Sequence, residues 1–249
     1  MSISLTLNRW HNQAKQNKWL WLFSNFNRFA LAAGFFPAGM VKIMDERFAS
    51  GLHANHPMGQ YLVSLHLTGF YYTFIGILQV AAAIMLLIPR TVTLGAFIYF
   101  PIILNIWILT LATRFDGSMF TAPLMTLANL YILCWNYEKW KYILPFNRLP
   151  VTEELPKPLK RSNKFPWLFF TGVLATVFFF VAVASNLFSI KPRNTQKDCI
   201  SQFKNMNRTE AGCDFCNCIH AKGERLDSCM ARYFKAPDDK KAGNNKLNN

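Results

Sequence analysis

The stretch FYYTFIGILQVAAAIMLLIPRTVTLGAFIYFPIILNIWILTLATRFD, residues 70–116, contains three formal charges: Arg90, Arg114 and Asp116. They are also the only charges in the ninety residues between Arg47 and Glu138. A water-soluble domain cannot cover its surface with so few charged side chains. Because a bilayer core ~30 Å thick takes ~20 apolar residues per helix, the spacing of the charges predicts spanning helices joined by short turns.

The predicted fold is an all-α polytopic membrane protein with five spans. Four form a transmembrane bundle, and a fifth carries a small disulfide-stapled helical tail. The spans are expected at about Phe29–Met44, Leu67–Ile88, Thr91–Thr113, Phe120–Asn136 and Phe165–Ile190. The predicted domains are an N-terminal interfacial segment (1–26), the bundle (27–144), a Pro-rich linker (145–164), the fifth helix (165–190), a Cys-rich module (191–236) and a disordered tail (237–249).

The net charge of +14 comes from Lys and Arg that flank the apolar spans. Such residues face anionic lipid headgroups, so membrane lipids and not nucleic acid are the expected partners. Twelve Lys and Arg lie on the side of the N-terminus, against Arg47 and Arg114 in the short loops opposite. The positive-inside rule therefore predicts a cytoplasmic N-terminus and linker and, after five spans, a periplasmic C-terminus in a bacterial inner membrane.

Seven polar residues are candidates for roles inside the bundle. Arg28 and Lys42 either snorkel to the headgroups or turn inward towards a partner, and Asp45, Glu46 and Asp116 are the candidate partners of Lys42. The mid-membrane amides either bind neighbouring helices or hydrogen-bond a quinone-like ligand. The candidates are Arg28, Lys42, Gln79, Asn105, Arg114, Asp116 and Asn129.

The tail contains five cysteines in the pattern C-x13-C-x2-C-x-C-x10-C. In an oxidising periplasm two structural disulfides are expected, with one thiol left over. Two alternatives stay open: redox chemistry at Cys213-x-x-Cys216, and a zinc site in a cytosolic tail at Cys213, Cys216, Cys218 and His220. His53, His56 and His66 form only a weak metal motif, so no metal is assigned. The disulfide candidates are Cys199, Cys213, Cys216, Cys218 and Cys229.

The spans resemble the DoxX family of four-span bacterial membrane proteins. The likeness rests on Arg28-Phe29, Gly34 and AGMVK at 38–42, on GILQ at 76–79 and LLIPR at 86–90, and on Gly95. It covers about residues 26–143 and is similar to DoxX-like proteins of Bacteroidetes in particular. The family often has Glu where Gln79 stands. The resemblance implies the fold and hints at a redox setting.

Two functions follow as hypotheses. The first is a non-catalytic accessory or assembly subunit of an envelope complex, without a cofactor and bound to other membrane or periplasmic subunits. The second is a quinone- or thiol-linked redox subunit of a membrane oxidoreductase. A transporter is disfavoured because the spans lack an inverted repeat and hold almost no acid.

Overall fold

The computed structural model describes residues 10–140, 162–204 and 206–239. Residues 1–9 of the predicted N-terminal segment lie outside these ranges. So do residues 141–161, which hold the end of the predicted bundle and most of the predicted linker, and residues 240–249 of the predicted disordered tail.

The described chain is helical, apart from turns, bends and one isolated β-bridge between Asn17 and Ser162. This confirms the predicted all-α class. After a short helical segment at residues 10–15, the helices in chain order are α1 (Lys18–Ile43), α2 (Pro57–His66), α3 (Phe70–Leu87), α4 (Val92–Thr113), α5 (Thr121–Trp135), α6 (Tyr137–Trp140), α7 (Trp167–Asn186), α8 (Gln196–Ser201), α9 (Thr209–His220) and α10 (Leu226–Lys235).

Four segments of the described chain are long and apolar enough to cross a membrane: Phe70–Leu87, Val92–Thr113, Asp116–Trp135 and Trp167–Asn186. They match the last four predicted spans and confirm a helical membrane protein. Helix α1 contains the predicted first span and, at 26 residues, is long enough. It is less apolar than the four because it includes Asn27, Arg28 and Lys42, so its span stays a prediction.

The chain divides into two compact units, the first made of Met1–Met40, Ile77–Leu104 and Pro123–Val181. Its core is apolar and aromatic, as expected where helices pack inside a bilayer. The rings of Phe35 and Tyr99 stack with their centroids 3.5 Å apart. Fully covered side chains of this unit include Phe35, Ala82, Leu86, Tyr99 and Ile132.

The entry to helix α7 is fixed within this first unit by backbone pairing. The Ser162 N–H donates to the Gln16 carbonyl at 2.7 Å, and the Lys18 N–H donates to the Ser162 carbonyl at 3.1 Å. The Phe23 ring meets the rings of Phe169 and Phe170 edge-on, each at 5.6 Å between centroids. Beyond this anchor α7 is almost uncovered by protein, with 6% of its span buried, so its apolar side chains are available to lipid.

The second unit is made of Val41–Gly76, Asn105–Ala122 and Ala182–Asn249. It contains the loop between α1 and α3, the turn between α4 and α5, and the tail. In the loop, Pro57 starts α2 where its missing N–H is harmless, and the His56 side chain caps this helix by accepting the Met58 N–H at 3.0 Å.

The tail forms a three-helix module, which we define as α8, α9 and α10. Thr195 caps α8 by accepting the Asp198 N–H at 3.2 Å. The module has its own core, and the rings of Phe203, Phe215 and Tyr233 converge there. Two disulfides join its helices, Cys199–Cys216 and Cys218–Cys229. A core this small ordinarily requires such cross-links, and the predicted disulfide-stapled helical tail is confirmed.

Candidate functional site

Arg28, a residue of helix α1, caps the C-terminal end of helix α3. Its Nε donates to the Leu86 carbonyl and its Nη2 to the Leu87 carbonyl, both at 2.7 Å, while Nη1 donates to Asn25 Oδ1 at 2.9 Å. The last carbonyls of a helix lack intrahelical donors and carry partial negative charge. Arg28 therefore has protein partners, and the partners are backbone carbonyls of the next span, not an acidic side chain.

Lys42 is buried at the end of α1 beneath two aromatic rings. Its Nζ lies 4.4 Å from the centroid of the Phe48 ring and 5.9 Å from that of Tyr72. The Tyr72 hydroxyl donates to the Glu46 carbonyl at 2.7 Å and accepts the Phe48 N–H at 2.8 Å. These two bonds fix the segment between Glu46 and Phe48 against Tyr72, next to the Lys42 ammonium. The faces of the two rings stabilise this cation.

The three candidate amides have different surroundings. Gln79 and Asn129 are buried, and Asn129 Nδ2 donates to the Ala96 carbonyl of helix α4 at 3.0 Å. This is the interhelical bond that one hypothesis expected. Asn105 is exposed, which makes its expected interior position wrong. Its place in the middle of a span fixed its depth but not the side of the helix on which it lies.

Two buried amide oxygens would not be satisfied by the carbonyl of an oxidised quinone. Gln79 Oε1 and Asn129 Oδ1 are buried with no hydrogen-bond partner among the described residues. Both atoms are acceptors and need a donor. A quinone offers carbonyl oxygens, which are also acceptors, so these positions suit a hydroxyl group or a water molecule instead.

Asp116 forms ion pairs with the segment that follows helix α7. Its carboxylate lies 3.0 Å from Lys191 Nζ and 3.0 Å from Arg193 Nη1. Arg114, two residues earlier, donates from Nη1 to the Ile190 carbonyl at 2.8 Å. The two charged residues of the turn between α4 and α5 thus both bind the start of the tail.

Two side chains of the α1–α3 loop bind backbone carbonyls at the end of helix α9. Asn55 Nδ2 donates to the His220 carbonyl at 2.8 Å, and Gln60 Nε2 donates to the Gly223 carbonyl at 2.8 Å. Gly223 has φ of +65°, a conformation that suits glycine at a helix end. Together with the Asp116 contacts, these bonds seat the module on the loops of the second unit.

Three histidines lie close together where the module contacts these loops, a region that we call the seat. The ring of His220 lies 5.6 Å from that of His53 and 6.2 Å from that of His56, between centroids. His220 Nε2 bonds the Pro192 carbonyl at 2.8 Å. Burial, with a smaller effect of the neighbouring His220, lowers the pKa of His56 to about 4, and Asp116 opposes the shift. Burial also lowers the pKa of His220. Both rings are therefore neutral at pH 7.

The cysteine pairing excludes two of the alternatives. Cys216 is bonded to Cys199 and Cys218 to Cys229, so Cys213-x-x-Cys216 is not a disulfide pair and two of the four proposed zinc ligands, Cys216 and Cys218, are not available as thiolates. Cys213 is the leftover thiol of the tail and is partly exposed. Across the described residues, no group of three or more His, Cys, Asp or Glu side chains is arranged to hold a metal ion.

Sequence reasoning missed several residues of the seat. By sequence, Lys191 and Arg193 are two positive charges close to the end of the last predicted span, and Asn55 is an ordinary loop residue. Their partners lie 75 or more residues away in the chain, as in the pair Arg193–Asp116 at a separation of 77. The one available signal was Asp116, an acid in a charge-poor region that required a basic partner.

These observations define an α-helical membrane protein that carries a disulfide-stapled module seated on its own loops. The chain is 31% identical over 130 residues to a protein of Bacillus subtilis (strain 168) named Uncharacterized protein YwoB, which covers 50% of this chain and 82% of that protein. The chain belongs to the family of that protein. No family model matches the sequence, and no solved structure matches it.

Proposed function

We propose that this protein is a non-catalytic accessory or assembly subunit of a bacterial envelope complex. In this proposal it lies in the inner membrane with a DoxX-like bundle, its N-terminus in the cytoplasm and its module in the periplasm. Its partners are membrane lipids and other membrane or periplasmic subunits.

The observation that carries the proposal is the seating of the module. A tail that served only as a tether would need no fixed orientation. Here the Asp116 ion pairs and the side chains of Asn55 and Gln60 hold it against the loops. The two disulfides keep its own shape. A rigid module in a fixed orientation is the arrangement that a docking surface requires, because less conformational entropy is lost on binding.

The experiment compares two acid-to-amide variants in the native membrane. Full-length protein with an N-terminal tag is extracted in a mild detergent and separated by native electrophoresis. We expect wild type and Asp227→Asn to migrate as a large assembly, because the Asp227 side chain is 88% exposed and its ion pair contributes little. Asp116→Asn, which releases the module from its seat, is expected to migrate as the free subunit. Migration of the wild-type protein as a free subunit contradicts the proposal.

A further inference from the structure

The Cys218–Cys229 disulfide lies against a guanidinium group. Arg232 Nη2 is 2.8 Å from the Cys218 sulfur and 3.9 Å from the Cys229 sulfur. The same nitrogen also donates to the Glu224 carboxylate, which fixes the guanidinium beside the bridge. The guanidinium, whose charge is partly offset by Glu224, interacts more strongly with a thiolate than with a neutral sulfur. It therefore favours release of Cys218 as the leaving thiolate when the disulfide is attacked.

The other disulfide of the module has no comparable environment. All four bridging cysteines are buried, and Cys218 and Cys229 differ from Cys199 and Cys216 in that they line a pocket. The Cys199 sulfur lies 3.6 Å from the side-chain amide of Gln202, which is neutral. A neutral amide cannot offset the charge of a leaving thiolate as a guanidinium does, so the two bridges differ in the charge beside them.

The Cys218–Cys229 disulfide also borders an open pocket. The pocket measures about 250 Å³ and is lined by both of these cysteines together with Arg232, Lys222 and Asp214. Pockets for organic cofactors and drug-sized ligands usually exceed ~300 Å³. The space admits the side chain of a cysteine on another protein. Lys222 and Arg232 favour the thiolate form of that cysteine, and Asp214 opposes it.

We propose that Cys218–Cys229 is an exchangeable disulfide that oxidises a pair of cysteine thiols on a protein partner. A thiolate of the partner attacks the Cys229 sulfur, and the bond to Cys218 breaks, so that its electron pair leaves on Cys218 beside Arg232. The second thiolate of the partner then attacks the sulfur of the partner's first cysteine in the mixed disulfide, and Cys229 is released as a thiolate. The partner gains a disulfide, and the module gains two thiols that take up the two protons. This stoichiometric activity goes beyond the accessory role and does not depend on it.

The first test uses the full-length wild-type protein in detergent with dithiothreitol as the dithiol. Samples equilibrated at graded ratios of reduced to oxidised dithiothreitol are quenched with acid, alkylated and mapped by peptide mass spectrometry. Cys218 and Cys229 are expected to become alkylated at ratios that leave Cys199 and Cys216 oxidised. Reduction of Cys199–Cys216 first, or of both bridges together, overturns the proposal.

The second test removes the charge beside the sulfur. Arg232→Gln is expected to slow reduction of Cys218–Cys229 about threefold, because the rate of thiol–disulfide exchange changes by about half a log unit per pKa unit of a participating thiol. Arg225→Gln is the matched control because the Arg225 side chain is 84% exposed and its ion-pair partner, Asp227, is 88% exposed. Protection of Cys199–Cys216 in the same samples reports that the module is folded. Equal rates for wild type and Arg232→Gln overturn the proposal.

Discussion

Asp116 and Lys191, 75 positions apart in the chain, form an ion pair with 3.0 Å between carboxylate and ammonium. The Lys191 side chain is 10% exposed and that of Asp116 26% exposed, so the pair is largely shielded from water. Arg193 adds a second cation to the same carboxylate. Removal of the acid leaves Lys191 buried without its carboxylate, which is more costly than loss of an exposed pair.

We therefore expect Asp116→Asn to destabilise the seating of the module by about 2–4 kcal/mol. The measurement is limited trypsin digestion of the detergent-solubilised protein, with cleavage after Arg193 mapped by mass spectrometry. Faster cleavage in the variant indicates that this segment has opened. Asp227→Asn serves as the control, and equal cleavage rates in the two variants would show that the Asp116 pairs contribute nothing to the seat.

The histidine seat predicts a dependence on pH. Because the pKa of His56 falls from 6.5 to about 4 on folding, the unfolded state binds a proton first as the pH decreases. The contribution of neutral His56 to the free energy of unfolding is fully present above pH 6.5 and decreases as the pH falls from about 6.5 towards 4. The groups that act on the ring are His53, His220 and Asp116.

The measurement is the thermal midpoint of unfolding in detergent between pH 7.5 and 4.5, for wild type and His56→Asn. Asparagine keeps an acceptor for the Met58 N–H and is a favourable cap, but it does not titrate. The wild-type midpoint is expected to decrease more steeply than that of the variant below pH 6.5. Parallel curves would mean that His56 does not link folding to protonation.

The leftover thiol provides a count that tests the topology. A membrane-impermeant maleimide applied to intact cells is expected to label Cys213 before reduction, and four further cysteines after reduction opens the two disulfides. Cys213→Ser removes the first label and keeps the four. If the tail is labelled only after the inner membrane is opened, the periplasmic position of the module is wrong.

The sequence predicted the parts of this fold that depend on local pattern. Charge spacing located the apolar helices, and an odd number of cysteines predicted two bridges and a leftover thiol. The connectivity could not be deduced, because five cysteines allow many pairings and the choice depends on how α8, α9 and α10 pack. The position of Asn105 also depends on how helices pack. Its depth in the span could be predicted, but the side of the helix on which it lies could not.

The seat required contacts that no local pattern contains. Asn55 and Gln60 are ordinary loop residues by sequence, and they bind backbone carbonyls of His220 and Gly223 about 165 residues later. Backbone acceptors carry no sequence signal. Arg28 illustrates the same limit: a charge at the start of a predicted span suggested a partner inside the bundle or the lipid headgroups without naming the partner, and its partners are the Leu86 and Leu87 carbonyls.

Arg28 supplies a further prediction, on the stability of the first unit. Arg28→Gln removes two charged hydrogen bonds to the end of α3 and is expected to destabilise the protein by about 2 kcal/mol. Arg90→Gln is the control because Arg90 is an exposed arginine just beyond the same helix. Thermal unfolding in detergent is the measurement, and an equal midpoint for both variants would rule out the capping role.

Gly95 lets helix α4 approach helix α3 closely. A Cβ atom at this position would lie 2.8 Å from Met85 Cβ, 3.0 Å from the Leu86 nitrogen and 3.1 Å from the Ala82 oxygen. Two of these three atoms belong to the backbone of α3 and cannot move aside alone. Gly95→Ala should therefore force the two helices apart at a cost of about 1–3 kcal/mol, the range for overpacking in a well-packed core.

Gly172→Ala is the matched control for Gly95→Ala. A Cβ atom at Gly172 meets nothing within 4 Å, and alanine favours the helix over glycine by up to ~1 kcal/mol. We expect the Gly172 variant to unfold in detergent at or above the wild-type temperature and the Gly95 variant several degrees below it. If Gly95→Ala unfolds with the Gly172 variant, then α3 and α4 are not in the close contact that makes glycine necessary at position 95.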